Sequence, residues 1–550
     1  MKRSVLFCLV AVALLGGADA GAQSYAFTGP LIDQPFRLTI GSGRAEGFGA
    51  RALGMGGAFT AVADDATAAE WNPAGLAQID RVQFQLGGQY LDTEIDRSLA
   101  IEQNLRQGAL DLRTVVYEDS SASDSSPQFD FATIAYPILL GKYKDNTLVI
   151  GASYFQNRVF FEDYQFTNTA IHPDPDVGGL GFVLYQRDAA GQESRRFVTT
   201  FDSADTNQRE SGQQSNLALS LAYSARDKVF FGITVTQKEE DRTVLTESIF
   251  TNIEQTTQFR SANEEWVDLG EAERANSHRS SQYFDTRAET LTFTLGFLWR
   301  ASEKWAIGAT YRPSVSLDYE YTITRSLRQE TDAGVFEPVP ETDRGVSTVD
   351  TPSILSGGIA FHPTARWVLA LDYQQSDWAD STFSSMVTDN GVQYNRSFYY
   401  PSFLRESGED YSWETGAAVG GRNFGGQQFE DTVIRFGIEH TFPGDGWDFL
   451  VRAGAFREDA VSGVPMSDQP QIDGYSFGIG YVRQKFFLDL TVVHESTSIN
   501  TSDVSTDGFY SSFPYVNWAT GVPMDQENHW QSLNYEPTTL RAVLAFGYQF

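Results

Sequence analysis

Few residues in this chain are placed to do chemistry, and arginines lead them. Arg435 and Arg452 fall on the same inward face of neighbouring period-two segments, at similar height above a turn at Pro443–Asp445. Two guanidinium groups so placed can hold a carboxylate through bidentate hydrogen bonds. Arg300, Arg312 and Arg541 share that face, and so do Asp372, Glu439 and Asp489. These acids could instead neutralise the arginines as a buried ionic network. Gly474-Tyr475-Ser476-Phe477-Gly478 has the spacing of a nucleophile elbow. That chemistry requires a sharp strand-to-helix turn that exposes the serine. Ser476 sits inside an alternating segment with no helix after it, and His494 on the next segment faces the other way. No enzyme is expected. His172, His278, His362, His440, His494 and His529 have no metal-ligand spacing. Asp174 and Asp176 resemble a calcium loop faintly and lack its terminal Glu. Neither a metal site nor a cofactor is expected.

The elements that position these residues are strands. Leu540, Ala542, Leu544, Phe546, Tyr548 and Phe550 alternate with Arg541, Val543, Ala545, Gly547 and Gln549. Leu291, Phe293, Leu295, Phe297 and Trp299 alternate with Thr290, Thr292, Thr294, Gly296 and Arg300. An apolar face opposite a polar one suits lipid outside and a polar lumen inside. Strand starts fall near residues 81, 127, 146, 213, 228, 286, 304, 350, 365, 430, 446, 473, 485 and 537, which makes fourteen. Tight links alternate with longer polar stretches at 92–126, 159–212, 241–285, 320–349, 379–429, 459–472 and 497–536. That asymmetry predicts an all-β fold: a transmembrane antiparallel β-barrel with both ends on one side. The final Phe550 resembles the terminal aromatic that marks such barrels for the barrel-assembly machinery.

Compartment and charge agree with that reading. Lys2 and Arg3 precede an apolar run, Val5–Leu15, which is too short to span a bilayer. Small residues at 18–22 follow, so 1–22 is expected to be a cleaved signal peptide. The only cysteine, Cys8, lies inside it, which leaves no thiol for disulfide or zinc chemistry. With 40 basic and 72 acidic side chains the net charge is −32, so nucleic acid is excluded as a partner. Aromatic content of 13% argues against an acidic disordered chain. The expected location is a bacterial outer membrane, with its lipid and lipopolysaccharide as surroundings.

Residues 23–80 do not alternate. They are rich in Gly and Ala and end in Trp71-Asn72-Pro73-Ala74. Small residues allow irregular backbone to pack closely, and Asn before Pro starts a turn. The segment is expected to fold into the lumen as a plug, ahead of a barrel over 81–550.

The run Gly49-Ala50-Arg51-Ala52-Leu53-Gly54-Met55-Gly56-Gly57-Ala58, with Ala63-Asp64-Asp65-Ala66 and Asn72-Pro73-Ala74, resembles the N-terminal hatch of the long-chain fatty acid transporter (FadL) family, which includes aromatic-hydrocarbon uptake porins. The resemblance implies a fourteen-stranded barrel with a hatch. It also implies passive uptake of hydrophobic small molecules such as long-chain fatty acids or hydrocarbons. Extracellular loops would capture the substrate, the hatch would shift, and exit would be sideways at a kinked third strand. On this sequence that strand is Asn146–Arg158, with Gly151 as the kink candidate. The aromatic loop residues Phe398, Tyr399, Phe403, Phe513 and Trp518 are candidates for an apolar entrance. The same hatch motif occurs in barrel partners of a protein-secretion system, which is the alternative reading.

Overall fold

The protein is described here from a computed structural model. It places residues 47–107, 110–140, 146–169, 203–260, 273–331, 334–337, 339–377, 430–459, 471–497 and 522–550. Shorter pieces are placed at 23–25, 39–40, 182–187, 193–200, 266–268, 382–389, 392–399, 411–412, 417–418, 461–462, 499–504 and 515–517.

Fourteen antiparallel strands form the wall. They are β1 (Gln83–Gln107), β2 (Leu110–Leu140), β3 (Asn146–Thr169), β4 (Ser203–Ala225), β5 (Val229–Arg260) and β6 (Glu273–Arg300). Then come β7 (Trp305–Arg312 continued by Val315–Thr331), β8 (Glu341–Thr351 continued by Ile354–Phe361), β9 (Trp367–Asp377) and β10 (Glu430–Pro443). The last four are β11 (Asp448–Asp459), β12 (Gln471–Arg483), β13 (Phe486–Thr497) and β14 (Val522–Gln549). β14 pairs with β1 from Gln549↔Gln83 up to Asp525↔Arg106, which closes the barrel. The Phe550 N–H donates to the Val82 carbonyl at 2.9 Å and seals the seam at its lower end. β7 and β8 are each interrupted at a proline, Pro313 and Pro352, which cannot donate to a ladder.

Alternation sets the two faces. Leu291, Leu295, Leu219, Leu544 and Phe477 are exposed outward, while Thr234, Thr294, Arg435 and Asp489 are buried inward. Trp299, Trp305, Trp367, Trp447 and Tyr481 stand exposed near the tight-turn rim, where an interfacial aromatic girdle belongs. The tight turn between β4 and β5 uses Arg226 and Asp227 at φ 54° and 52°, the double positive φ that suits a two-residue hairpin.

The wall departs from the expected loop map on its far side. Much of 92–126, 241–285 and 320–349 continues as strand rather than loop. Side-chain alternation in the sequence ends before these stretches do. The backbone ladder satisfies its own groups and continues without it.

Residues 47–79 lie inside the barrel. They form two short helices, α1 (Ala50–Gly54) and α2 (Ala68–Trp71), and a 3-10 turn over Pro73–Gln78. Ala52, Met55, Phe59, Ala63, Ala66, Ala74 and Leu76 form one buried cluster with lumenal Ala135, Val149, Ala222 and Phe230. The lumenal hatch is thus part of the barrel's core.

Candidate functional site

The hatch is seated on lumenal glycines. Gly232 and Gly296 stand opposite one another on β5 and β6. A Cβ at Gly232 would lie 2.2 Å from the Pro73 carbonyl carbon, and one at Gly296 would lie 2.3 Å from Asn72 Oδ1. Across the lumen, Gly437 and Gly454 pair on β10 and β11. Cβ atoms there would lie 2.4 Å from the Met55 carbonyl oxygen and 2.0 Å from the Gly56 nitrogen. Only glycine lets hatch backbone approach the wall this closely.

Asn72 explains its own motif. Its Oδ1 accepts from the Ala74 N–H at 3.1 Å, starting the turn that Pro73 continues. Its Nδ2 donates to the Thr60 carbonyl at 2.7 Å and to Phe297 of β6 at 3.0 Å. One amide therefore ties two parts of the hatch to the wall.

Further clamps are polar. Asp372 Oδ2 on β9 accepts from the Phe59 and Thr60 N–H groups at 2.8 and 2.7 Å. Ser476 accepts from the Gly56 N–H at 3.0 Å and donates to the Gly54 carbonyl at 3.1 Å. The nucleophile-elbow spacing thus marks a buried serine bonded to hatch backbone. Arg51 of α1 makes a bidentate pair with Glu439 at 2.9 and 3.0 Å and also pairs with Asp64. Burial pushes the Asp65 carboxyl of the hatch above its usual range, against the opposing pull of Arg51.

Arg435 and Arg452 do not form the expected pair. Arg435 stands opposite Phe456 and Arg452 opposite Glu439, four residues apart along the ladder, or about 13 Å. The turn between β10 and β11 is longer than Pro443–Asp445, because Pro443 pairs with Asp448. Arg452 Nε donates to Glu439 at 2.6 Å and Nη1 to Asp489 at 2.5 Å, with the side chain 1% exposed. Both carboxylates are buried too, so Arg51–Glu439–Arg452–Asp489 is one ionic chain crossing from hatch to wall. Arg435 Nη1 donates to Gln374 at 3.2 Å, and Asp372 lies across the ladder from Arg435. The other inward arginines are engaged as well: Arg312 with Glu70, Arg300 with Gln78 and Asp227, and Arg541 with Gln89 and Asp130.

The wall opens between β2 and β3. The two strands pair from Leu140↔Asn146 to Phe131↔Phe155, and again from Ser121↔Gln165 to Glu118↔Asn168. Among the described residues, the nine positions 122–130 and the nine positions 156–164 share no ladder, a parting about 30 Å long. Register is kept on both sides of it, so the strands part and rejoin. Bulges stand beside it. Asp130 is extra in the β1–β2 ladder, and a register shift falls between Gln156 and Arg158 in β3–β4. Its lower end is level with the exposed aromatics Phe129 and Tyr154.

This corrects the kink assignment. Gly151 pairs without interruption with Ala135 and Ser220. It faces Leu76 of the hatch, and a Cβ there would meet Leu76 Cδ1 at 3.3 Å. Its small size serves hatch packing, and the irregularity lies five residues further on, at Gln156.

At the lower end of the opening, Phe48 of the hatch lies between Phe131 and Phe155, with ring centroids 4.8 and 4.7 Å apart. Trp71 Nε1 donates to the Phe48 carbonyl at 3.0 Å. The sequence reading passed over these three phenylalanines. Their one signal was that Phe131 and Phe155 are large apolar residues at inward positions, many of which carry small or polar side chains. Phe398 and Tyr399 are placed by backbone alone, opposite Phe383 and Thr382. Phe403, Phe513 and Trp518, like the expected signal peptide over 1–22, lie outside the described residues.

Residues 191–419 match the family described as outer membrane protein transport protein (OMPP1/FadL/TodX). No curated protein matches the chain. The crystal structure of a Pseudomonas aeruginosa FadL homologue aligns over 93% of this chain and 99% of its own, at 12% identity and TM-score 0.49. The Ralstonia pickettii toluene transporter TbuX and the P. putida toluene transporter TodX align over 92% of this chain and 99% of theirs, at 16% identity and TM-scores of 0.45 and 0.46. The matched stretch, residues 191–419, lies outside the hatch, whose motif resembles the same family.

Proposed function

We propose that this protein takes up hydrophobic small molecules such as long-chain fatty acids or hydrocarbons passively across a bacterial outer membrane, and releases them sideways through its wall. The observation that carries this is the parting of β2 and β3, whose lower end lies level with the exposed aromatics Phe129 and Tyr154, while the hatch fills the lumen beside it. An apolar molecule blocked by the hatch reaches lipid there without crossing the polar rim. Diffusion down a gradient needs no nucleotide.

In this reading 1–22 is a signal peptide, 23–80 the hatch and 81–550 the barrel, with lipopolysaccharide around its outer half and the barrel-assembly machinery as its partner in biogenesis. Asn72, Pro73 and Ala74 anchor the hatch. Phe398, Tyr399, Phe403, Phe513 and Trp518 gather substrate at the outer end. Arg435 is offered to a fatty carboxylate, and Arg452 is assigned to the ionic chain.

The test is a staple. Positions 126 and 160 face each other by register across the parting. Ser126→Cys/Phe160→Cys, in a Cys8→Ser background, is reconstituted in vesicles and assayed for oleate and toluene uptake. Oxidation is expected to abolish uptake and reduction to restore it. If the wild type moves neither compound faster than empty vesicles, the reading is wrong. If the oxidised staple transports normally, the exit lies elsewhere.

A further inference from the structure

We propose that Phe48 is the gate of the wall opening, and that it opens by swinging off Phe131 and Phe155 while the rest of the hatch stays seated. This rests on the uptake reading above and departs from the expectation that the hatch shifts as a body.

Two contrasts within the hatch carry the inference. From Ala50 onward the segment is bonded to the wall at many points. Thr491 donates to the Ala50 carbonyl at 2.5 Å, Thr133 to Ala66 at 3.2 Å and Thr234 to Ala69 at 2.8 Å. Asp372, Ser476 and Glu439 add the clamps described above. Moving this body would strand several buried polar groups and split a buried ion pair at once.

Phe48 is held differently. Its side chain meets the wall through ring contacts, and those rings, Phe131 and Phe155, form the last ladder pair below the opening. Ring contacts are apolar and exchangeable, since a passing hydrophobic molecule can replace the Phe48 ring against them. The backbone is suited to local movement. Gly49 holds φ +101°, a conformation that favours glycine. Gly47 lies against the Trp71 ring, where any side chain would collide. Phe48 therefore stands between two glycines, with its ring against the last ladder pair below the opening.

The experiment uses a reporter behind the gate. Asn216 of β4 lies across the ladder from Phe155, faces the lumen and is 1% exposed. Asn216→Cys, in full-length protein with Cys8→Ser, is reconstituted in vesicles and treated with a bilayer-dissolved pyrenyl maleimide. Phe48→Ala is expected to raise the labelling rate roughly tenfold and to raise oleate uptake. Arg51→Ala, which loosens the hatch body, is expected to label like the parent. Phe48→Leu, an apolar filler without a ring, is expected to fall between and serves if the alanine variant fails to form a heat-modifiable barrel. Unchanged labelling in both Phe48 variants overturns the proposal. So does an equal rise in Arg51→Ala, which would make the whole hatch the gate. Labelling that responds to Phe48 in a protein whose wild type moves no substrate keeps the gate and removes the uptake reading.

Discussion

The two flanks of the hatch are built from different forces. Towards β10–β13, α1 is held by a buried chain of charges from Arg51 through Glu439 and Arg452 to Asp489, and by hydroxyls that bond its backbone. Towards β2 and β3, the same segment presents a phenylalanine to two more, beside a stretch of wall without a ladder. Charges buried together are costly to separate, because each is left without a partner in a low-dielectric interior. Apolar rings are indifferent to what replaces them, provided water is kept out. On the proposed uptake reading, the plug is fixed on one side and left exchangeable on the other. The charged flank gives the hatch its position, and the aromatic flank gives it a place to yield.

Substitutions on the charged flank should show the larger costs. Arg452→Ala leaves Glu439 and Asp489 buried without their guanidinium and is expected to destabilise the barrel by about 3–5 kcal/mol. The check is a lower unfolding midpoint in detergent, and an unchanged midpoint would show that the ionic chain fixes nothing. Gly454→Val puts a side chain where the Gly56 nitrogen lies and is expected to unseat the hatch with a wall that still folds. Limited proteolysis should then cut within 47–79, and a protected hatch would break the glycine-seat argument. Ser476→Ala removes the hydroxyl that bridges the Gly56 N–H and the Gly54 carbonyl, leaves the Gly56 N–H its bond to Leu53, and is expected to cost about 0.5–1.5 kcal/mol. Equal stability to wild type would remove the serine from the clamp.

The smallest effect is a pH slope. Burial raises the Asp65 pKa in the folded hatch, so its stabilising contribution is present at acid pH and is lost as pH rises through that raised value. Asp65→Asn should flatten this slope in unfolding measured against pH. A slope unchanged in the variant would assign the effect to another group.

Strand alternation was legible in the sequence because side-chain direction along a strand has period two whatever the neighbouring strands do. Leu291 to Trp299 and Leu540 to Phe550 needed only lipid on one side and a filled lumen on the other. The hatch was legible as small residues around Asn72-Pro73-Ala74, although why those residues were small was not, since Gly232, Gly296, Gly437 and Gly454 meet it from distant strands. Height across the barrel was beyond the sequence, and the Arg435–Arg452 pairing failed there: a turn that closes at Pro443↔Asp448 leaves the two arginines four residues, about 13 Å, apart along the ladder. The opening was misplaced for a related reason, since Gly151 looks like a kink in isolation but is a seat for Leu76. Composition and period thus determined by themselves that the chain is a barrel with a plug. Which charges neutralise one another, where the wall parts and which ring closes it were decided only by tertiary structure, because each depends on the register between strands far apart in sequence.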